Sequence, residues 1–295
     1  MTPRYTVGVL DLCKLHGEPP DQALWATLEL APLVESLGYS RYWLAEHHTK
    51  DVAHSSPEIL LPILAGITRR MRIGTAGIML NLYSPFKVAS DFRLLNTIFP
   101  DRIDLGIARV RTHSLIEGLL RQPNEPPFEE KVGKMMGFLR GVGETSVNPV
   151  GVAPPEVWLL GSRPDSSSLE LAAATGTAFC FSLFIGQHSA SAHRCLADYR
   201  ARFVPSSELP EPRCSLAFAG VCADTDAKAK EIAASYGPYV MPTLVGSPVA
   251  FRSGLRALSE TFGTADFIFL NLAQSLPDRV RSYTLVAETL GLCRQ

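Results

Sequence analysis

Eight apolar, strand-length bursts recur along this chain, and each is followed by at least one helix-length amphipathic stretch. Parallel strands joined through helices must bury both faces of their sheet, so strict alternation leaves two solutions: a closed parallel barrel or an open, doubly wound sheet. The strands read as residues 5–11, 41–45, 71–76, 102–107, 157–160, 178–182, 214–222 and 266–270. No GxGxxG follows the first of them, so the dinucleotide-binding open sheet loses its main support. A length of 295 residues suits one barrel of ~250 residues plus insertions. The expected fold is an α/β (β/α)8 TIM barrel, one domain over 1–295, with insertions after strands 4 and 7.

The helices carry their own signals. Leu24, Leu28, Ala31 and Val34 recur at three- and four-residue steps within 21–37, and Gly38 closes that helix. Pro57 and Glu58 open the next one after Ser56. The stretch 109–155 is the least regular, with one helical piece at 128–140. Strand 7 is followed by two pieces, 226–236 and 248–262.

Composition removes several classes of function. Hydrophobic residues make up 46% of the chain and charged residues 19%, enough for a large core. Net charge is −1 with lysine and arginine spread along the chain, which argues against a nucleic-acid partner. No apolar run approaches the ~20 residues of a membrane helix, and the first residues show no signal-peptide pattern. The six cysteines form no CxxC pair and read as reduced core residues of a cytoplasmic protein.

Chemistry in a TIM barrel sits at the C-terminal strand ends. Here those ends read as polar: Asp11, Glu46-His47-His48, Arg109, Gly161-Ser162-Arg163 and Asn271. Neighbouring residues on a strand point to opposite faces, so one histidine of the pair can face the cup while the other packs behind it. Histidine is the usual general acid–base near neutrality; a packed pair with no chemistry is the competing reading. No metal is expected, because adjacent histidines do not converge on one ion and neither HxH nor HExxH occurs. Gly161-Ser162 leads into a helix expected to start near Pro164–Ser166, a place that favours phosphate, or is an ordinary turn and cap. Arg109 can supply the counter-charge. Gly74-Thr75-Ala76-Gly77 lets a flat ring approach the backbone, or marks a bulge or barrel corner.

Taken in order, these segments resemble the bacterial luciferase-like flavin-dependent monooxygenases. The resemblance rests on Arg41-Tyr42-Trp43-Leu44-Ala45-Glu46-His47-His48, Ser55-Ser56-Pro57-Glu58, Arg72-Ile73-Gly74-Thr75-Ala76-Gly77-Ile78-Met79-Leu80 with Ser84-Pro85, and Asp101-Arg102-Ile103-Asp104-Leu105-Gly106 leading to Arg109. It continues through Trp158-Leu159-Leu160-Gly161-Ser162, Cys222-Ala223-Asp224-Thr225-Asp226, and Arg281-Ser282-Tyr283 to Gly291-Leu292. It implies a TIM barrel that binds reduced FMN (FMNH2) and activates O2 through a C4a-peroxyflavin. It implies His47 as the catalytic histidine, flanked by Glu46 and His48. It further implies Ala76-Gly77 as a non-proline cis peptide under the flavin ring, and Arg109, Gly161 and Ser162 around the phosphate. A small-molecule substrate and a separate NAD(P)H-dependent flavin reductase are the implied partners, and the oligomeric state stays open between monomer and homodimer.

The chain departs from the pattern beside the flavin. Ala108 stands where luciferase has a reactive cysteine, Ala108-Arg109-Val110-Arg111-Thr112 replaces the Gly-Arg-Ala-Pro-Gly loop, and Ser167-Ser168 follows the Gly-Ser motif as an addition. Light emission and an aldehyde substrate therefore do not carry over. Two rival readings keep the same barrel: a flavin or deazaflavin hydride-transfer enzyme, and a non-catalytic flavin-binding partner subunit.

Overall fold

The computed structural model describes residues 4–109, 112–121, 124–142, 145–163, 167–186, 192–236 and 240–292. The helix start expected at Pro164–Ser166 and Cys293 lie outside them. The strands are β1 (Thr6–Asp11), β2 (Arg41–Leu44), β3 (Arg72–Thr75), β4 (Ile78–Met79), β5 (Ile103–Ala108), β6 (Glu156–Gly161), β7 (Ala178–Ser182), β8 (Cys214–Cys222), β9 (Leu244–Gly246) and β10 (Asp266–Asn271). The helices are α1 (Pro20–Ser36), α2 (Pro57–Ile67), α3 (Pro85–Ile98), α4 (Ser114–Leu120), α5 (Phe128–Arg140), α6 (Ser167–Thr175), α7 (Cys195–Arg202), α8 (Asp226–Ala234), α9 (Pro248–Phe262) and α10 (Leu276–Leu290). Parallel pairing runs β1-β2-β3-β5-β6-β7-β8-β10 and returns, because β10 pairs with β8 and with β1. That is a closed eight-stranded barrel with its helices outside, one of the two architectures the alternation allows.

Three elements differ from the sequence expectation. The third strand, expected to be continuous over 71–76, breaks after Thr75 and resumes as β4, which pairs with β5 through Ile78↔Ile107 and Met79↔Ala108. The irregular stretch contains α4, a seven-residue helix interrupted by Gly118, with no buried residue although Leu115 and Leu119 share one side of it. The loop after strand 7 contributes β9, which pairs with the upper end of β8.

Alternation along the strands sorts the two cores. Val7 and Val9, Tyr42 and Leu44, Leu216 and Phe218, and Phe267 and Phe269 point outward into the layer packed under the helices. Leu10, Trp43, Ala45, Trp158, Ala217 and Ile268 belong to a separate inner cluster. Trp43 and Trp158 meet edge-on, centroids 5.2 Å apart, and fill the middle of the barrel. Below them Asp104, fully buried, accepts from Trp43 Nε1 at 2.9 Å and from Arg72 Nε at 2.7 Å. Arg41 reaches Asp266 at 2.9 and 3.0 Å. This layer of tryptophan and paired charge plugs the N-terminal end, so the strand C-termini are the open end.

Asp11 and Asn271 do not belong to the cup. Both share the outward parity of Val9 and Phe269, and so point under the helices rather than into the barrel. Asp11 pairs with Arg279 of α10 at 2.9 Å and accepts from Tyr42 Oη at 2.5 Å, Thr27 Oγ1 at 2.9 Å and the Cys13 N–H at 2.9 Å. Asn271 donates to the Arg279 carbonyl at 3.2 Å and accepts from the Ala273 N–H at 3.0 Å. These contacts fasten α10 to the barrel.

Candidate active site

Above the tryptophan layer the barrel opens into a cavity of about 990 Å³. Sites for one small molecule span ~300–1,000 Å³, so this one stands at the top of the range. Seven of the eight residues singled out from the sequence line it: Glu46, His47, Ala76, Gly77, Arg109, Gly161 and Ser162; His48 does not.

One wall is built at the ends of β5 and β6. Arg109, Gly161, Ser162 and Arg163 stand there with Ser167 and Ser168, which open α6. Two guanidinium groups and three hydroxyls in one wall are suited to a doubly charged phosphate. Arg109 Nη1 donates to Ser167 Oγ at 3.1 Å, its Nη2 pairs with Glu129 of α5, and the guanidinium lies 4.9 Å from the centre of the Phe128 ring. The pair with Glu129 is exposed on both sides and contributes little, so an anion can recruit Arg109 at small cost. Arg163, Ser167 and Ser168 were not singled out as site residues. The strand-end run signalled the first, and the two serines looked like an insertion.

Next to this wall the lining is small and flat: Ala76, Gly77, Ala108 and Leu160. The Ala76–Gly77 peptide is cis. A Cβ on Gly77 would stand 2.8 Å from both the C and O atoms of Gly106, so only glycine lets this segment lie against β5.

At the end of β2, His47 shares the inward parity of Trp43 and Ala45 and faces the cavity. Burial lowers its pKa from the ordinary value, and the Lys14 charge adds to this, so the ring is held neutral near pH 7. No hydrogen bond from the described residues occupies it. Glu46 is spoken for: one oxygen accepts from the Met79 N–H at 2.8 Å, the other from Tyr83 Oη at 2.6 Å and His48 Nε2 at 2.7 Å. Its carboxylate thus ties β2 to β4, immediately past Gly77, and orients His48.

The rim opposite the phosphate-suited wall holds residues that sequence reasoning missed. Lys14 bridges Val52 in antiparallel fashion, the Leu15 N–H donates to the Asp51 carbonyl and the Ala53 N–H to the Cys13 carbonyl, each at 2.9 Å. This clip places Lys14, Thr49, Asp51 and Val52 in the lining, with Lys14 Nζ 2.8 Å from Asp51 Oδ2. The hydrogen bond from Lys14 holds the Asp51 carboxyl down at about 2. Nothing in a single sequence joins residues 37 positions apart in two loops.

A family model described as luciferase-like monooxygenase matches residues 6–266. The protein YwcH of Bacillus subtilis (strain 168) is 31% identical, covering 97% of this chain and 99% of its own. The crystal structure of apo-MsnO8 shares 30% identity at a TM-score of 0.89, covering 98% of both chains. The oxygenating constituent of 3,6-diketocamphane monooxygenase from Pseudomonas putida, a type II Baeyer–Villiger monooxygenase in complex with FMN, has the same fold at 17% identity and TM-score 0.77, covering 97% of both chains.

Proposed function

The chain belongs to the luciferase-like monooxygenase family, and from that premise we propose that it is the oxygenating component of a two-component system that uses reduced FMN and O2. As an enzyme it is an oxidoreductase that incorporates oxygen. The observation that carries the finer reading is the joining, in one cavity, of a wall suited to a phosphate and a floor of small residues suited to a flat ring. FMN has both parts, and the diketocamphane enzyme of the same fold was solved with it.

Arg109, Arg163 and the hydroxyls of Ser162, Ser167 and Ser168 would hold the phosphate, with Gly161 giving the backbone close approach. Ala76, Gly77 and Ala108 would face the isoalloxazine. When bound, reduced FMN supplies the two electrons that divide O2 between product and water: RH + O2 + FMNH2 gives ROH + FMN + H2O. A separate reductase would regenerate the reduced form. His47, neutral and unengaged, would take and return the proton at the reacting oxygen. Glu46 acts through what it holds, fixing β4 and His48 in place. The closed lower end and the apolar inner lining exclude water from the reacting atoms.

Arg109→Ala should weaken reduced-FMN binding at least several-fold, as expected for loss of one charge-assisted contact worth ~1–3 kcal/mol. Anaerobic titration of FMNH2 by fluorescence measures it. An unchanged dissociation constant would remove Arg109 from the phosphate wall.

A further inference from the structure

The order of strands around the ring sets the β6 end diametrically opposite the β1 end. A cofactor whose phosphate sits at β5 and β6 and whose ring covers Ala76–Gly77 leaves the β1, β8 and β10 side of the cup free. That side is apolar: Leu10, Leu12, Ala217, Val240 and Ile268 line it, with Phe184 from the end of β7. Among the described residues its rim carries one cation, Lys14, and that cation is already neutralised by Asp51 at 2.8 Å. Glu46 adds negative charge at the β2 edge. The hydrogen-bonding groups on this side are His47, Ser182, whose Oγ is buried without a partner, and Thr49, whose side chain is already engaged with Asp51.

We propose that this half of the cup is the substrate subsite, that it takes an uncharged, apolar-bodied molecule bearing one hydroxyl or carbonyl group, and that the Lys14–Asp51 pair keeps ionised substrates out. The proposal rests on the flavin reading of the opposite wall. A carboxylate entering here would lose its hydration and meet no free cation, a combination that costs far more than burying a neutral hydroxyl with one partner. The apolar body meets only aliphatic and aromatic side chains. The single polar group is drawn to His47, which brings the carbon beside it toward the place where oxygen is delivered.

Binding of 2-naphthol and of 2-naphthoate, two fluorescent probes of similar body and different charge, tests this at pH 7.5. Protein loaded with FMN should bind naphthol about tenfold or more tightly than naphthoate, the margin expected when one charged group is left unpaired. Asp51→Asn unpairs Lys14 and should raise naphthoate affinity by about tenfold, leaving naphthol within about threefold. Lys14→Met should give no such gain. The backbone bonds of the clip survive both substitutions, so the loops keep their places. FMN affinity is read in parallel, and loss of it in the wild type would strike the cofactor reading instead. The Asp51→Asn gain is scored with and without flavin, so it decides the subsite either way. Equal binding of the two probes by wild type, failure of both to bind, or no gain in Asp51→Asn would each overturn the proposal.

Discussion

His47→Ala should lower product formation by about 10²–10⁴-fold, the usual contribution of a general acid–base group, while reduced-FMN affinity stays within a few-fold. The two effects separate because of where His47 sits. It lies at the β2 end, away from the wall of Arg109 and Ser162, and shares no hydrogen bond with the residues proposed to hold the cofactor. Its ring is buried enough to lose part of its ordinary basicity, and the Lys14 ammonium pushes in the same direction. The neutral, proton-accepting form is therefore the one present at pH 7. Activity should fall on the acid side at a pH below the ordinary histidine value, and this limb should disappear in the variant. His48→Ala should cost less turnover, since His48 does not line the cavity and its ring is hydrogen-bonded to Glu46. Single-turnover product yield measured alongside flavin affinity decides the matter. Full activity in His47→Ala would make the ring a packing group.

Arg279→Met should be the most destabilising of the substitutions considered, at about 3–5 kcal/mol near neutral pH, because it leaves the Asp11 carboxylate buried without its cation. The side chains of both partners are nearly inaccessible, so solvent cannot take over. In the native protein burial alone would raise the Asp11 pKa. The Arg279 charge, the Tyr42 hydroxyl and the Cys13 N–H outweigh it and hold the carboxyl at about 2 instead of 3.8. A depressed folded pKa means stability that is full above about pH 4 and is lost as pH falls toward 2, about 2 kcal/mol in all. Without Arg279 the folded pKa rises. The gap between variant and wild type should then be widest near pH 7 and narrow as pH falls. Urea melts of both proteins across pH 4–7 measure it, and a gap independent of pH would show that Asp11 is not the group responsible.

Much of this was legible in the sequence, and the boundary is informative. Helices at 85–98, 128–140 and 248–262 and strands at 178–182 and 214–222 fall where their apolar spacing put them. The helices show a period because each is buried on one face, and the two strands read as continuous apolar runs because both their faces are covered. The helix at Ser114–Leu120 gave no clear signal because it spans only seven residues and holds Gly118, too short for its leucines to establish a period. The polar strand ends misled in a specific way. Asp11 and Asn271 were read by position along their strands, whereas their side of the strand decides. Counting in steps of two from Val9 or Phe269 would have sent both outward. The same count places His47 with Trp43 and Ala45, facing in. The Lys14–Asp51 clip had no local signal, being a contact between two loops that only the closed barrel brings together.

In the proposed reaction, oxygen from O2 ends in an organic product at the expense of reduced FMN. Incubating the protein with reduced FMN, ¹⁸O2 and a panel of neutral apolar ketones and phenols tests it directly, with product masses read against an ¹⁶O2 control. One labelled oxygen atom per product molecule is expected, formed only when reduced flavin and O2 are both present, with the second atom leaving as water. Substrate oxidised or reduced without label, at the same rate under anaerobic conditions, would show hydride transfer on the same barrel and would contradict the proposed reaction.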